Sequence, residues 1–192
     1  LQGCIPSLRV VPDSDTLSRA AAMLDLAENP VILAGWGAYP YADIVSSFSK
    51  AIDAPVLSTF RAKGILPDGH PQYAGILGTV GSPQAREMVE QTDLLITLGV
   101  GFSKMTRVPD QVKILQIDRD PLMLGKGERS LPVYGDVGEV LTRLISIVRQ
   151  RGRPASPGRV KEIVEAWDAQ RDREADPKAK PIRPPYIMKV LS

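Results

Sequence analysis

Side chains able to make or break bonds are few in this chain, and their types exclude most mechanisms. The single histidine, His70, sits in Asp68-Gly69-His70-Pro71, a turn sequence with no serine or cysteine nucleophile motif beside it. The single cysteine, Cys4, lies in a proline-containing arm with no base or second thiol nearby, so neither an internal disulfide nor a catalytic thiol has support. Together they cannot assemble a His/Cys metal cluster. The carboxylates Asp118, Asp120 and Asp136 have two readings, as ligands of a ribose or metal, or as turn and cap residues before Pro121 and at a helix start. What remains is glycine. Gly35-Trp36-Gly37 and Gly99-Val100-Gly101, with Gly78, Gly81 and Gly135, allow close approach of backbone to a neighbour or a ligand, a chemistry of binding rather than of bond making.

These glycines need elements to position them. Val31 to Ala34 is a short apolar run bounded by Asn29-Pro30 and Gly35, which suits a central strand covered on both faces. Before it, Ser14 or Asp15 caps a helix carrying Leu17, Ala20, Ala21, Leu24 and Ala27 on one face. After it, Ile44, Val45, Phe48 and Ala51 or Ile52 mark a second helix, and Val56 to Thr59 a second strand. Phe60 to Thr79 has no clear period and reads as a long functional or packed connection. Ser82-Pro83 caps a helix through about Gln91. Asp93 to Leu98, Val112 to Ile117 and Leu131 to Tyr134 are further strands. Asp136 and Glu139 have capping-box spacing ahead of a helix with Val140, Leu141, Leu144, Ile145 and Val148 on its buried face.

Strand ends of this kind line the ligand crevice of open α/β sheets. The dinucleotide fingerprint is nevertheless incomplete. Pro40 stands where a third Gly or Ala would open the helix, and the second strand ends in Ser58-Thr59 instead of an acid, which disfavours NAD. Glycines needed only for tight turns remain the alternative. The Trp36 indole has two readings as well, a plug in the crevice or an outward cover for a ring.

Length and composition set the remaining bounds. With 192 residues and 43% hydrophobic content the chain can build one α/β core. The 24 basic and 22 acidic residues are too balanced to imply nucleic acid or a membrane surface as partner. No apolar stretch reaches the length of a membrane span and no signal peptide is evident, so the expected localisation is cytoplasmic. Gly152 to Gly158 reads as a connector, followed by a charged helix with a narrow stripe of Val160, Ile163, Val164 and Trp167. Pro177 to Pro185, with four prolines, reads as a linker.

The order of motifs resembles a known family. Asn29-Pro30-Val31-Ile32-Leu33-Ala34-Gly35-Trp36-Gly37-Ala38 and Ala54-Pro55-Val56-Leu57-Ser58-Thr59-Phe60-Arg61-Ala62-Lys63-Gly64 are similar to the central domain of thiamine diphosphate-dependent enzymes of the acetolactate synthase and pyruvate oxidase type. Leu66 to Pro71, Tyr73 to Gly78, Asp93 to Gly99, Gln116 to Pro121 and Gly135-Asp136 follow in the matching order, so the resemblance covers roughly Ala20 to Ile145.

The resemblance implies a doubly wound, Rossmann-like α/β domain with a mainly parallel sheet of about six strands and helices on both faces, the extra strand lying in or after Phe60 to Thr79. It implies that residues 1–13 are a linker from an N-terminal domain, 14–151 the central domain, and 152–192 a connector helix and linker toward a C-terminal domain. The parent would be a transferase or lyase that decarboxylates a 2-keto acid and passes the carbanion to an acceptor, as a homodimer or homotetramer whose partners for this segment are the other domains of the same chain. Thiamine diphosphate and Mg would be bound by those domains, and the isolated chain would have no catalytic residue and no metal, and would be a monomer or weak dimer. In the flavin-containing branch FAD lies across this domain, and the matching positions are Gly35, Trp36, Gly37, Thr59, Phe60, Leu77, Gly78, Thr79, Gly99, Val100, Gly101, Asp118, Gly135 and Asp136. Two departures count against FAD: Trp36 stands where flavin-binding relatives have a third Gly, and Gly101 where they have an Arg. Other relatives hold ADP or nothing, and nothing is the expectation here. An autonomous NAD- or ADP-binding protein and a purely structural spacer are the alternatives.

Overall fold

In a computed structural model of the chain, which describes residues 9–127, 129–151 and 159–191, six strands form one sheet in the order β3-β2-β1-β4-β5-β6, every neighbouring pair parallel. The strands are β1 (Pro30–Ala34), β2 (Val56–Thr59), β3 (Tyr73–Leu77), β4 (Leu94–Leu98), β5 (Ile114–Asp118) and β6 (Ser130–Tyr134). The additional strand expected in the Phe60 to Thr79 region is β3. The helices are α1 (Ser14–Leu26), α2 (Ala42–Ile52), α3 (Pro83–Gln91), α4 (Val137–Arg151), α5 (Arg159–Glu174) and α6 (Pro184–Leu191).

Every residue of β1 and β4 is buried because helices or loops cover both faces, and successive side chains point to opposite sides. Ile32 and Ala34 join Leu94, Ile96 and Leu98 beneath α1, α2 and α4, in a core that includes Leu24, Phe48 and Leu144. Val31 and Leu33 point the other way, with Leu57, Leu95 and Ile114, toward α3 and its Ala85, Met88 and Val89. Among the described residues no crossover helix links β4 to β5 or β5 to β6, and the only helical turn in these loops is the 3₁₀ turn Pro121–Met123. On the α3 face of β5 the buried Gln116 does what helix side chains do elsewhere: its Nε2 donates to the Met123 carbonyl and its Oε1 accepts from the Lys126 amide at 3.1 Å.

The helix ends show which local signals decide. The N-cap of α1 is Asp13, whose carboxylate accepts from the Thr16 amide at 2.8 Å, one residue ahead of the expected Ser14 or Asp15. Ser82 caps α3 as expected, accepting from the Ala85 amide at 3.2 Å with Pro83 at the first helical position. Asp136 caps α4 through the Gly138 and Glu139 amides. The capping box is only half formed, because the Glu139 carboxylate meets Arg9 and the Asp136 amide donates to the Val10 carbonyl. Residues 9–13 therefore pack against the end of β6.

Beyond α4, the Gly152 to Gly158 connector lies outside the described residues, as do Cys4 and the side chains of Val160, Ile163 and Trp167. Of the expected stripe, Val164 of α5 packs half-buried on the α3-side core. The proline-rich segment gives way to α6, whose first turn holds Pro184 and Pro185. Among the described residues no helix is long and apolar enough to cross a membrane.

Candidate functional site: a crevice at the carboxyl ends of the strands

The strand order reverses between β1 and β4, and this switch point is where an open parallel sheet splays its outgoing loops and leaves a crevice. The two glycine turns meet there. The Gly35 amide donates to the Leu98 carbonyl at 2.8 Å and the Gly37 amide to the Gly99 carbonyl at 3.2 Å. A Cβ on Gly35 would stand 2.1 Å from the Gly99 carbonyl oxygen, and one on Gly99, whose φ is +59°, would stand 2.5 Å from the Gly37 Cα. Glycine is thus required at these positions by contact between the two turns.

Beside the paired turns a cleft of about 430 Å³ opens along the ends of β1, β2 and β3. It brings together Gly35, Trp36, Thr59, Phe60, Leu77, Gly78, Thr79 and Gly101 from the expected set. Gly37, Gly99 and Val100 do not line it: the first two pack in the turn–turn contact and Val100 is buried in the core. Asp118, Gly135 and Asp136 lie outside it as well, for three identifiable reasons. The buried Asp118 carboxylate accepts from the Asp120 amide at 2.8 Å, while Asp120 in turn holds the Leu122 amide at 3.0 Å. Burial pushes the Asp118 carboxyl above the ordinary carboxylate range, against the pull of the Asp120 amide. Gly135 lies under Pro12 and Val140. Asp136 is committed to its cap and to the Tyr41 hydroxyl, which donates to it at 2.6 Å and is itself raised in pKa by that bond. The acidic trio thus holds turns and a helix cap, and among the described residues no group of His, Cys, Asp and Glu is arranged to hold a metal.

His70 is a bracing residue. Its Nδ1 accepts from the Gln72 amide at 3.2 Å, which leaves Nε2 protonated to donate to the Ser46 hydroxyl at 2.9 Å. Burial, then the charge of Lys50, lowers its pKa, so the neutral ring is the favoured form.

Trp36 does not plug the crevice. Its indole is 55% exposed, stacks on Tyr39 with centroids 5.1 Å apart, and carries the Arg61 guanidinium 6.0 Å from its ring centroid. Sequence reasoning did not single out Arg61, nor Val80, Ser103, Met105, Thr106 and Met123, all of which line the cleft. Arg61 was detectable in principle as the cation two residues beyond the end of the second strand. The others come from loops whose course is set only by tertiary packing.

The residues present do not fit a dinucleotide diphosphate. A dinucleotide turn offers backbone amides and the amino end of an α-helix to the phosphates. Here the amides of Gly35, Gly37, Gly99 and Thr79 already donate to backbone carbonyls. The chain leaves β1 in a 3₁₀ turn, Trp36–Tyr41, that contains Pro40, so α2 begins only at Ala42. Among the described residues the lining carries a single cation, Arg61, and a side chain added at Gly101 would meet open space.

The family described as thiamine pyrophosphate enzyme, central domain, matches residues 17–144. YdaP of Bacillus subtilis is 37% identical over 115 residues, covering 60% of this chain and 20% of that protein. The pyruvate oxidase of Lactiplantibacillus plantarum is 31% identical over 144 residues, 73% of this chain and 24% of the relative. An acetolactate synthase of Mycobacterium avium is 29% identical over 153 residues, 76% and 25% of the respective chains. A solved Mycobacterium smegmatis structure described as a thiamin diphosphate-dependent enzyme superposes with a TM-score of 0.65 at 25% identity, covering 79% of this chain and 31% of that one. The chain thus spans a fifth to a quarter of the curated relatives it matches.

Proposed function

The chain belongs to the central-domain family of thiamine pyrophosphate enzymes, and on that premise we propose that the protein containing it decarboxylates a 2-keto acid and transfers the resulting carbanion to an acceptor. The observation that carries this reading is the family match over residues 17–144, an ordered set of motifs rather than one turn. A second line of support comes from the polar groups. Asp118, Asp120, Asp136 and His70 are all engaged in caps, turns and braces, so within the parent this domain works as a scaffold and accessory module.

Thiamine diphosphate and Mg belong, in this proposal, to the domains on either side. When bound, the cofactor supplies the nucleophile that adds to the keto carbon and the electron sink for decarboxylation. The contribution of this chain is to hold the flanking domains at a fixed separation, with residues 9–13 locked onto β6 at one end and α5 laid beside β3 at the other. The proposed division places a linker at 1–13, the central domain at 14–151 and a connector at 152–192. The proposed assembly is a cytoplasmic homodimer or homotetramer built through the other domains.

The coding sequence on both sides of this segment tests the reading. A glutamate-bearing pyrimidine-binding domain upstream and a Gly-Asp-Gly motif followed by Asn downstream are expected. Their joint absence would overturn it in favour of an autonomous domain.

A further inference from the structure

We propose that the crevice binds an amphipathic monocarboxylate, an aromatic or branched apolar body ending in one carboxylate, with Arg61 as the residue that holds the anionic end. Trp36, Phe60, Val80 and Met105 are four of the thirteen large apolar side chains left exposed among the described residues, and all four line this one cleft. Soluble domains seldom gather exposed apolar surface in one place without a ligand or partner for it. The buried Leu77 and the half-buried Met123 continue the apolar lining.

Charge selects the class of ligand. Among the described residues the lining contains one cation and no carboxylate, and Arg61 makes no ion pair. A single guanidinium matches a single carboxylate, which it can meet through two parallel hydrogen bonds. Its position over the Trp36 face orients that fork beside an aromatic surface suited to a flat or branched body. Three hydroxyls of the lining are already engaged, since that of Thr79 donates to the Met105 carbonyl at 3.3 Å and those of Ser103 and Thr106 bond each other at 3.1 Å. The site therefore offers one strong anionic contact on an apolar floor. A diphosphate would ask for more donors than it has. The proposal concerns binding at the crevice and stands apart from the parent's chemistry, so it survives or fails separately from the proposed reaction.

Titration calorimetry tests it, using the chain described here and the longest natural protein that carries it. The probe is 3-phenylpropionate, with 3-phenylpropanol lacking the charge, acetate lacking the body, and ADP and FAD as competitors. Saturable binding of 3-phenylpropionate is expected, weakened roughly tenfold or more for the alcohol and for R61M, and partly restored in R61K. Because Arg61 is exposed, R61M should fold normally, which its thermal unfolding checks. No saturable binding at millimolar 3-phenylpropionate, equal binding by folded R61M, or tighter binding of ADP or FAD than of the carboxylate would each overturn the proposal.

Discussion

Gly35→Ala adds one methyl group at the point where the turns after β1 and β4 touch. Gly35 has φ −98° and ψ −176°, extended backbone that alanine adopts without strain, so the whole effect is steric. The new carbon would stand 2.1 Å from the Gly99 oxygen, 2.7 Å from its carbonyl carbon and 2.8 Å from the Val100 Cα, all of them backbone atoms that no rotamer change can move. Relief requires the turns to separate by about 1 Å, which stretches the Gly35 to Leu98 and Gly37 to Gly99 hydrogen bonds. Overpacking costs about 1–3 kcal/mol and each weakened backbone bond up to about 1 kcal/mol, so a loss of about 2–4 kcal/mol is expected. In a domain of this size that lowers Tm by roughly 5–15 °C. Gly101→Ala is the control, because nothing lies within 4 Å of its added carbon, and it should stay within about 0.5 kcal/mol of the parent. Urea denaturation followed by circular dichroism, with unchanged m, measures both. Equal stability of the two variants would refute the view that these glycines serve turn-to-turn packing.

Other expectations follow from the hydrogen bonds and titrating groups. Tyr41→Phe should cost about 1 kcal/mol and Asp136→Ala about 2 kcal/mol, since the aspartate also caps α4. In a urea-based double-mutant cycle the Tyr41 change should cost almost nothing once Asp136 is gone; undiminished cost would disprove the coupling. The His70 pKa is lowered on folding, so its stabilisation is complete above the unfolded value of 6.5 and is lost as pH falls through the lower folded value. The stability difference between the parent and His70→Gln should accordingly shrink on the acid side of 6.5, and a pH-independent difference would contradict the neutral-ring assignment. Burial raises the Asp118 pKa, so the stabilisation of its protonated form is present below 3.8 and lost as pH rises through the folded value. Asp118→Asn should therefore raise Tm at neutral pH with an advantage that fades in acid; a lower Tm at neutral pH would show that the charge is needed.

The central strands were readable because β1 and β4 are apolar runs too short for helices and bounded by Pro, Asp or Gly, and their observed limits differ from the expected ones by one residue. β3 was harder to place. Gly75 sits inside it at φ +106° and its pairing with β2 slips between Val56 and Ser58, so no clean alternation marks it. α6 was missed because Pro184 and Pro185 argue against helix in the interior but are tolerated in a first turn, and only structure reveals which applies. At the site, the glycine turns were legible as strand ends at one sheet edge, and Gly35 and Gly101 of them line the cleft, whereas Thr59-Phe60 and Leu77-Gly78-Thr79, which line it too, were marked only by the family resemblance. The other expected contacts stray for a physical reason. Asp118, Gly135 and Asp136 follow strands at the same edge, but Asx turns, an arm and a cap occupy them, and sequence spacing is the same whether a ligand or the protein's own backbone takes those hydrogen bonds. The orientation of Trp36 depends on Tyr39 and Arg61, whose contact with it no local pattern encodes.

As the non-catalytic middle of a thiamine diphosphate enzyme, this domain would be inactive alone and active only within the longer protein. Carbon dioxide release from a panel of 2-keto acids, with and without thiamine diphosphate and Mg, is the direct measurement, made on the longest natural protein containing this segment and on the 192-residue chain alone. The longer protein is predicted to release carbon dioxide only with cofactor present, and the chain alone to release none under any condition. Cofactor-dependent release by the isolated chain, or none by the longer protein on any 2-keto acid of the panel, would contradict it.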